Sequence, residues 1–170
     1  MLNLAESLRI GHGYDLHRLE PLAPAGAGRP LLVGGVRLDS DRGPVAHSDG
    51  DALLHAVTDA LLAAAGLPDI GQLFPDTDAR HESRDSQEFL KEAGVRVRNA
   101  GWVVANIDAT VILEKPKLSP HKQAMRSNIA SALDIDSSRV GVKGKTHEKV
   151  DAVGESRAIE VHVVALLVRN

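Results

Sequence analysis

Apolar residues of period two and of period 3.6 alternate in blocks along this chain, and that alternation narrows the folds open to it more than any single motif. Within 102–113, Ile107, Ala109, Val111 and Leu113 alternate with Asn106, Asp108 and Thr110, the pattern of a half-buried strand. Leu54, Val57, Leu61 and Ala65 instead recur at helical spacing and predict a helix over about 49–65, capped by Ser48 or Asp49 and followed by Gly66. Asp85 and Glu88 read as a capping box for a second helix that ends near Ala100 before Gly101, and Ser119-Pro120 opens a third that reaches about Leu133. Leu8–Ile10, Leu31–Leu38, Val140–Lys143 and Ala158–Val168 read as strands, the second interrupted at Gly34-Gly35, where a bulge or a close backbone approach is expected. This interleaving predicts an α+β sandwich, a mixed four-stranded-type sheet with helices packed on one face. At 170 residues and 43% hydrophobic content, one domain spanning 1–170 is expected, with residues 1–7 as a flexible N-terminal extension.

Composition narrows the partners. Tyr14, Phe74, Phe89 and Trp102 are the only aromatic residues, so Leu, Val, Ile and Ala must build the core, and stacking platforms for nucleic-acid bases are missing. The net charge of −3, with basic residues scattered, lacks the electrostatic footprint of a nucleic-acid or anionic-membrane binder. Absence of cysteine excludes disulfides and thiolate catalysis. Neither a secretory leader nor an apolar run of membrane-spanning length is seen, since Val161–Val168 is too short. A cytoplasmic protein acting on a small molecule, with no nucleic-acid or membrane partner, is the expectation.

Three segments carry chemistry. Asp15 and His17 lie two apart at the end of a strand, where both side chains share a face and can chelate one ion, although the pair also reads as a turn aspartate beside a surface histidine. His55, on the first helix, supplies a third donor, and a set of two imidazoles and one carboxylate leaves one tetrahedral position open, as in catalytic zinc sites. Asp51 and Asp59, one turn either side of His55, are the candidates to orient its second ring nitrogen. His47-Ser48-Asp49-Gly50-Asp51 opens that helix, where free N–H groups favour phosphate. Ser48 and Asp49 are equally ordinary caps, whereas His47 suits donation to a phosphoryl oxygen. Asp69-Ile70-Gly71 and Phe74-Pro75-Asp76-Thr77-Asp78 read as turns whose carboxylates can hold sugar hydroxyls. Lys145-Thr146-His147-Glu148 adds a lysine, a hydroxyl, an imidazole and a carboxylate near the other end.

Taken in order, Gly11-His12-Gly13-Tyr14-Asp15-Leu16-His17, Ala46-His47-Ser48-Asp49-Gly50-Asp51-Ala52, Leu54 to Leu62, Asp69-Ile70-Gly71 and Leu73 to Asp78 resemble the 2-C-methyl-D-erythritol 2,4-cyclodiphosphate synthase family of non-mevalonate isoprenoid biosynthesis. The resemblance covers nearly the whole chain. It implies a homotrimer of α/β subunits with active sites at subunit interfaces. The reaction it implies converts 4-diphosphocytidyl-2-C-methyl-D-erythritol 2-phosphate into the cyclic diphosphate and CMP, a phosphorus–oxygen lyase activity. It places zinc on Asp15, His17 and His55, and a second divalent ion, Mg2+ or Mn2+, on Glu148. His47 and Thr146 fall on positions that stabilise the transition state. Asp15, Leu16, His17, His47 and Ser48, then Asp69, Ile70 and Gly71, then Phe74, Pro75, Asp76, Thr77 and Asp78 fall on substrate contacts. Leu113, Glu114, Lys115, Pro116, Lys117, Leu118 and Ser119 match the cytidine pocket, and Lys145, Thr146, His147 and Glu148 complete the set. The cytidine loop is stiffened by Pro116 and Pro120, so its backbone groups can read a pyrimidine edge.

The chemistry agrees with this inventory, because a phosphate monoester near neutral pH is already a nucleophile. Positioning and cations, not a protein base, are what the reaction requires. Departures from the family occur after residue 144: Lys145-Thr146-His147-Glu148 replaces Thr-Thr-Thr-Glu, and Ala152 and Glu155 stand where an aromatic residue and an arginine are usual, with Arg157 nearby. Those two positions tend to line a cavity on the trimer axis. A metal-dependent phosphoesterase and a non-catalytic metal-stabilised trimer are the other classes open to such a chain.

Overall fold

The computed structural model describes residues 4–75, 77, 78 and 82–170. A helical turn, α1 (Leu4–Ser7), leads into the long strand β1 (Leu8–Pro21), followed by β2 (Leu32–Val33), β3 (Val36–Arg37) and β4 (Arg42–Pro44). Helices α2 (Ala52–Ala65), α3 (Ile70–Leu73) and α4 (Ser86–Asn99) precede β5 (Trp102–Ile112) and α5 (Lys122–Leu133). The chain closes with β6 (Val140–Lys145), α6 (Asp151–Gly154) and β7 (Ala158–Arg169). Strand order is β4-β1-β7-β5-β6, with β5 and β6 parallel and the other neighbours antiparallel. The sheet is therefore mixed, as the sequence predicts, but its first strand runs to Pro21, well past the Leu8–Ile10 expected, and the short β4 is added at one edge.

One face of this sheet is covered and the other is open. Ile159, Val161, Val163, Ala165 and Leu167 of β7 and Ile107, Ala109 and Val111 of β5 alternate inward and are fully buried. They pack beneath α2, while α5 lies over β6 and α4 packs against both helices. Leu8, Ile10, Tyr14, Leu16 and Val164 alternate to the opposite face, where Ile10 is 73% exposed.

Two glycines bring α2 down onto β1. A Cβ at Gly11 would lie 2.0 Å from the carbonyl oxygen of Ala60, and one at Gly13 would lie 1.9 Å from that of Ala56. Only a bare backbone allows this approach, and the helix answers with a stripe of small residues, Ala56, Ala60 and Ala64. Asp15 and His17 continue the face of Gly11 and Gly13, so the same contact sets His55 beside them.

Several local expectations change in three dimensions. Leu31–Leu38 is a hairpin of two short strands, not one strand, because Gly34 and Gly35 both take positive φ (61° and 70°) and turn the chain back. The first helix begins at Ala52 with Asp51 as its cap, since Gly50 at φ 76° breaks the helical path before it. Gly66 closes that helix in the left-handed conformation. In place of a capping box, Asp85 accepts from the Gln87 N–H at 2.8 Å while the Glu88 carboxylate pairs with Arg84. The third helix starts at Lys122, because Ser119–His121 is a turn closed by His121 N–H donating to Leu118 O. Asp69-Ile70-Gly71, read as a turn, instead opens a helical turn over Ile70–Leu73 with Asp69 as its cap.

Candidate active site

Three ligating atoms converge where β1 passes α2. Asp15 Oδ2 lies 3.0 Å from His17 Nδ1 and 3.1 Å from His55 Nδ1. Among the described residues this is the one group of three or more His and carboxylate side chains with ligand atoms within 4.8 Å of one another. Such spacing suits donors about 2.0–2.2 Å from one shared zinc-sized ion. The residues fit a cation on a further ground: His17 Nδ1 is buried and has no hydrogen-bond partner, though a carboxylate oxygen lies 3.0 Å away. Burial works to raise the Asp15 carboxyl, but the close contact with His17, the hydrogen bond with His55 and the charge of both rings outweigh it and hold the group well below the ordinary carboxylate range. Burial works to lower His55, and Asp15 with the nearby Asp51 and Asp49 reverses that, so its pKa is raised.

The far nitrogen of His55 faces a different partner from those the sequence suggests. Neither Asp51 nor Asp59 reaches it. Its Nε2 is 2.8 Å from Ser86 Oγ and 3.3 Å from Ser48 Oγ. Ser86 Oγ in turn makes a short contact with Asp49 Oδ1, and Asp49 Oδ2 accepts the Ser86 N–H at 2.9 Å. Asp51 is fully buried and accepts from the N–H groups of Gly34 (2.9 Å), Gly35 (2.6 Å) and Leu54 (3.0 Å), clamping the hairpin to the helix start. Burial raises its carboxyl despite those three donors. Asp59 accepts the Ile70 N–H at 2.8 Å and so ties α3 to α2.

The helix start is also less available to an anion than its sequence suggests, because side chains already hold the Gly50, Asp51 and Leu54 N–H groups. His47 remains available: its Nε2 is buried, has no partner, and borders the cavity beside the triad. That cavity, of ≈ 370 Å³, is shared by His17, His47, Ser48, His55, Ile70 and Gly71, with Phe74 and Phe89 as an apolar wall. The two phenylalanine rings pack 4.7 Å apart. Asp69 caps α3 through the Gln72 N–H, Pro75 accepts from the Asp78 N–H, and Asp76 lies outside the described residues. Arg29, unmarked in the sequence, holds this region by donating to Ala46 O at 3.0 Å and Ser83 Oγ at 2.8 Å.

A second cavity, of ≈ 280 Å³, opens where β5 and β6 end side by side. Leu113, Glu114, Lys117, Leu118 and Ser119 border it from one loop, Lys145 and Thr146 from the other, joined by Leu113 N–H to Lys145 O at 3.0 Å. Lys115 and Pro116 do not border it, and one buried oxygen of Glu114 has no partner. Beyond Thr146, Glu148, Lys149 and Asp151 all take positive φ (52°, 67° and 61°), a strained run for non-glycine residues. His147 Nδ1 pairs with Asp151 Oδ2 at 2.8 Å across it. Arg157 is engaged by Glu155 at 2.6 Å.

The two cavities share no residue. Strands β7 and β5 stand between β1 and β6, which separates them by about 14 Å at the usual strand spacing. Glu148 is accordingly not brought to the Asp15, His17 and His55 group within one chain. Fold and site together define a single-domain α+β protein with a carboxylate–imidazole metal site, opening on a cavity and paired with a separate lysine-bearing loop pocket. The chain belongs to the YgbB family, whose sequence pattern matches residues 8–168. It is 54% identical to the chloroplastic 2-C-methyl-D-erythritol 2,4-cyclodiphosphate synthase of Catharanthus roseus, over 96% of this chain and 67% of that protein. Against the synthase of the same name from Chromobacterium violaceum it is 54% identical, over 94% of this chain and 97% of that one. Among solved structures it resembles the bifunctional IspDF of Campylobacter jejuni (TM-score 0.88, 44% identity, 96% of this chain and 42% of that one). It also resembles the Plasmodium falciparum IspF–CDP complex (TM-score 0.83, 36% identity, 97% and 98%).

Proposed function

We propose that this chain cyclises 4-diphosphocytidyl-2-C-methyl-D-erythritol 2-phosphate to 2-C-methyl-D-erythritol 2,4-cyclodiphosphate in isoprenoid precursor biosynthesis. The convergence of Asp15, His17 and His55 on one point, in a family whose named relatives are synthases of that product, carries this reading. The 2-phosphate oxygen attacks the β-phosphorus, the bond to the CMP oxygen breaks, and CMP leaves with the electron pair, a phosphorus–oxygen lyase reaction. Asp15, His17 and His55 would hold zinc and Glu148 would hold Mg2+ or Mn2+, ions that would supply positive charge against phosphoryl oxygens. His47 Nε2 donates to a phosphoryl oxygen, and Thr146 binds the diphosphate from the other side. Asp69, Ile70 and Gly71 with residues 74–78 hold the erythritol, while the 113–119 loop reads cytosine through its backbone and Lys117 and Lys145 offset phosphate charge.

Half-sites about 14 Å apart across one sheet need a second chain to meet. A homotrimer supplies it, burying the open face that carries Leu8, Ile10, Tyr14, Leu16 and Val164. The CDP complex of the Plasmodium falciparum relative supports a cytidine nucleotide as ligand. The cytoplasm is the proposed compartment, after bacterial relatives such as that of Chromobacterium violaceum, with the plastid of the plant relatives as the alternative. Phosphorus NMR on the purified chain with the cytidylyl substrate tests the reaction. Cyclic diphosphate with CMP supports it; inorganic phosphate would make the chain a phosphoesterase, and no turnover a structural metal protein.

A further inference from the structure

We propose that Arg29 is a positioning residue for His47, bracing the backbone on both sides of it so that the ring keeps its place at the cavity beside the metal group. The inference rests on the reading of His47 as a donor to a phosphoryl oxygen, and concerns a residue that lines neither cavity. Arg29 is itself anchored first. Its N–H donates to Pro44 O at 3.0 Å, and its carbonyl runs so close to β4 that a Cβ at Gly43 would lie 1.6 Å from Arg29 O. From that anchor the guanidinium reaches two groups, with Nε donating to Ala46 O at 3.0 Å and Nη1 to Ser83 Oγ at 2.8 Å. Ser83 N–H in turn donates to His47 O at 2.8 Å. Ser83 sits at φ 57°, an uncommon conformation outside glycine, and these two bonds hold it there.

Both carbonyls that flank the His47 Cα are therefore tied, one to Arg29 and the other to the serine that Arg29 holds. A peptide unit is planar, so fixing the planes before and after one residue fixes its two backbone torsions and the direction of its Cβ. For His47 that matters more than usual, because its Nε2 has no hydrogen-bond partner to keep the ring in place. A misplacement of about 1 Å caused by a change away from the chemistry can cost about a hundredfold in rate. The bracing also needs the planar fork of an arginine. A lysine ammonium keeps the charge but does not reproduce the two fixed donor directions that meet Ala46 O and Ser83 Oγ.

The test measures kcat and KM for the cytidylyl substrate in the full chain, in Arg29→Ala, Arg29→Lys and His47→Ala, and in the Arg29→Ala, His47→Ala double variant. Zinc content and thermal melting serve as controls. Positioning predicts that Arg29→Ala lowers kcat roughly tenfold, with KM changed by less than about twofold and zinc content full. Once His47 is alanine, Arg29→Ala should cost nothing further, because a residue that acts only through that ring has nothing left to aim. Arg29→Lys should recover little. A loss that adds in full in the double variant, or full recovery by Arg29→Lys, overturns the proposal. If His47→Ala alone keeps parental kcat, the donor reading falls and takes the proposal with it. Hydrogen exchange of the Ser83 amide needs no turnover: it should speed up in Arg29→Ala, and an unchanged rate overturns the bracing even if the chain proves not to be a synthase. Should Arg29→Ala fail to fold, Ser83→Ala, which removes one arm only, replaces it in the cycle with a smaller loss expected.

Discussion

The metal half and the nucleotide half of this molecule are built in opposite ways. Around His55 every neighbour is itself held: Asp51 by three N–H groups, Ser86 by Asp49, and α2 by the glycine contact with β1. Around the second cavity, Lys145, Thr146 and Glu148 are exposed and follow one another off the end of β6 into a strained turn. A cation site gains from rigid ligands, because donors misplaced by a fraction of an ångström lose coordination. A pocket for a nucleotide that must enter and leave as CMP tolerates exposed loops.

The sharpest way to break that contrast is on the rigid side. His55→Ala should remove zinc and reduce turnover by on the order of a thousandfold or more, since several kcal/mol of charge stabilisation leave with the ion. A variant that kept both stoichiometric zinc and near-parental turnover would remove His55 from the ligand set. Next in size, Asp51→Ala strands three N–H groups, two of them buried, and should destabilise the fold by about 3–5 kcal/mol, read in denaturant or thermal unfolding. A loss under about 1 kcal/mol would mean water reaches the hairpin turn and the metal half is looser than argued. His47→Ala should lower turnover by roughly a hundredfold with zinc content full, as expected for a donor to a phosphoryl oxygen. Stoichiometric zinc loss would make His47 a ligand.

On the loop side the effects are smaller. If backbone groups of 113–119 read the base, the cytidylyl substrate should exceed its uridylyl analogue by roughly ten- to a hundredfold in kcat/KM, the size of one unpaired buried polar group. Equal efficiency would refute backbone reading. The smallest expected effect is the pH response of the zinc-free chain. Asp15 is depressed in the fold, so its contribution is present above about pH 3.9 and lost as pH falls below that; His55 is raised, so its contribution is present below about pH 6.5 and lost as pH rises through its raised value. Melting temperature under chelation should therefore peak between those limits. A flat profile, or a maximum in alkali, would show that Asp15 and His55 are not coupled.

What the chain discloses on its own follows from short-range rules. Period two places Asp15 and His17 on one face, helical spacing puts His55 on α2, and the alternation in 102–112 gives β5, all as read from the sequence. Such patterns depend only on neighbours along the chain. The resemblance to cyclodiphosphate synthases was legible in the same local motifs. Tertiary structure alone decided that Asp49 serves Ser86 instead of capping the helix, that Ser86 and not Asp51 or Asp59 faces His55, and that Glu148 ends three strands from Asp15. Each of those is a contact between segments far apart in sequence. A serine at the head of one helix carries no local mark of the histidine it meets on another, because that meeting is set by how α2 and α4 pack.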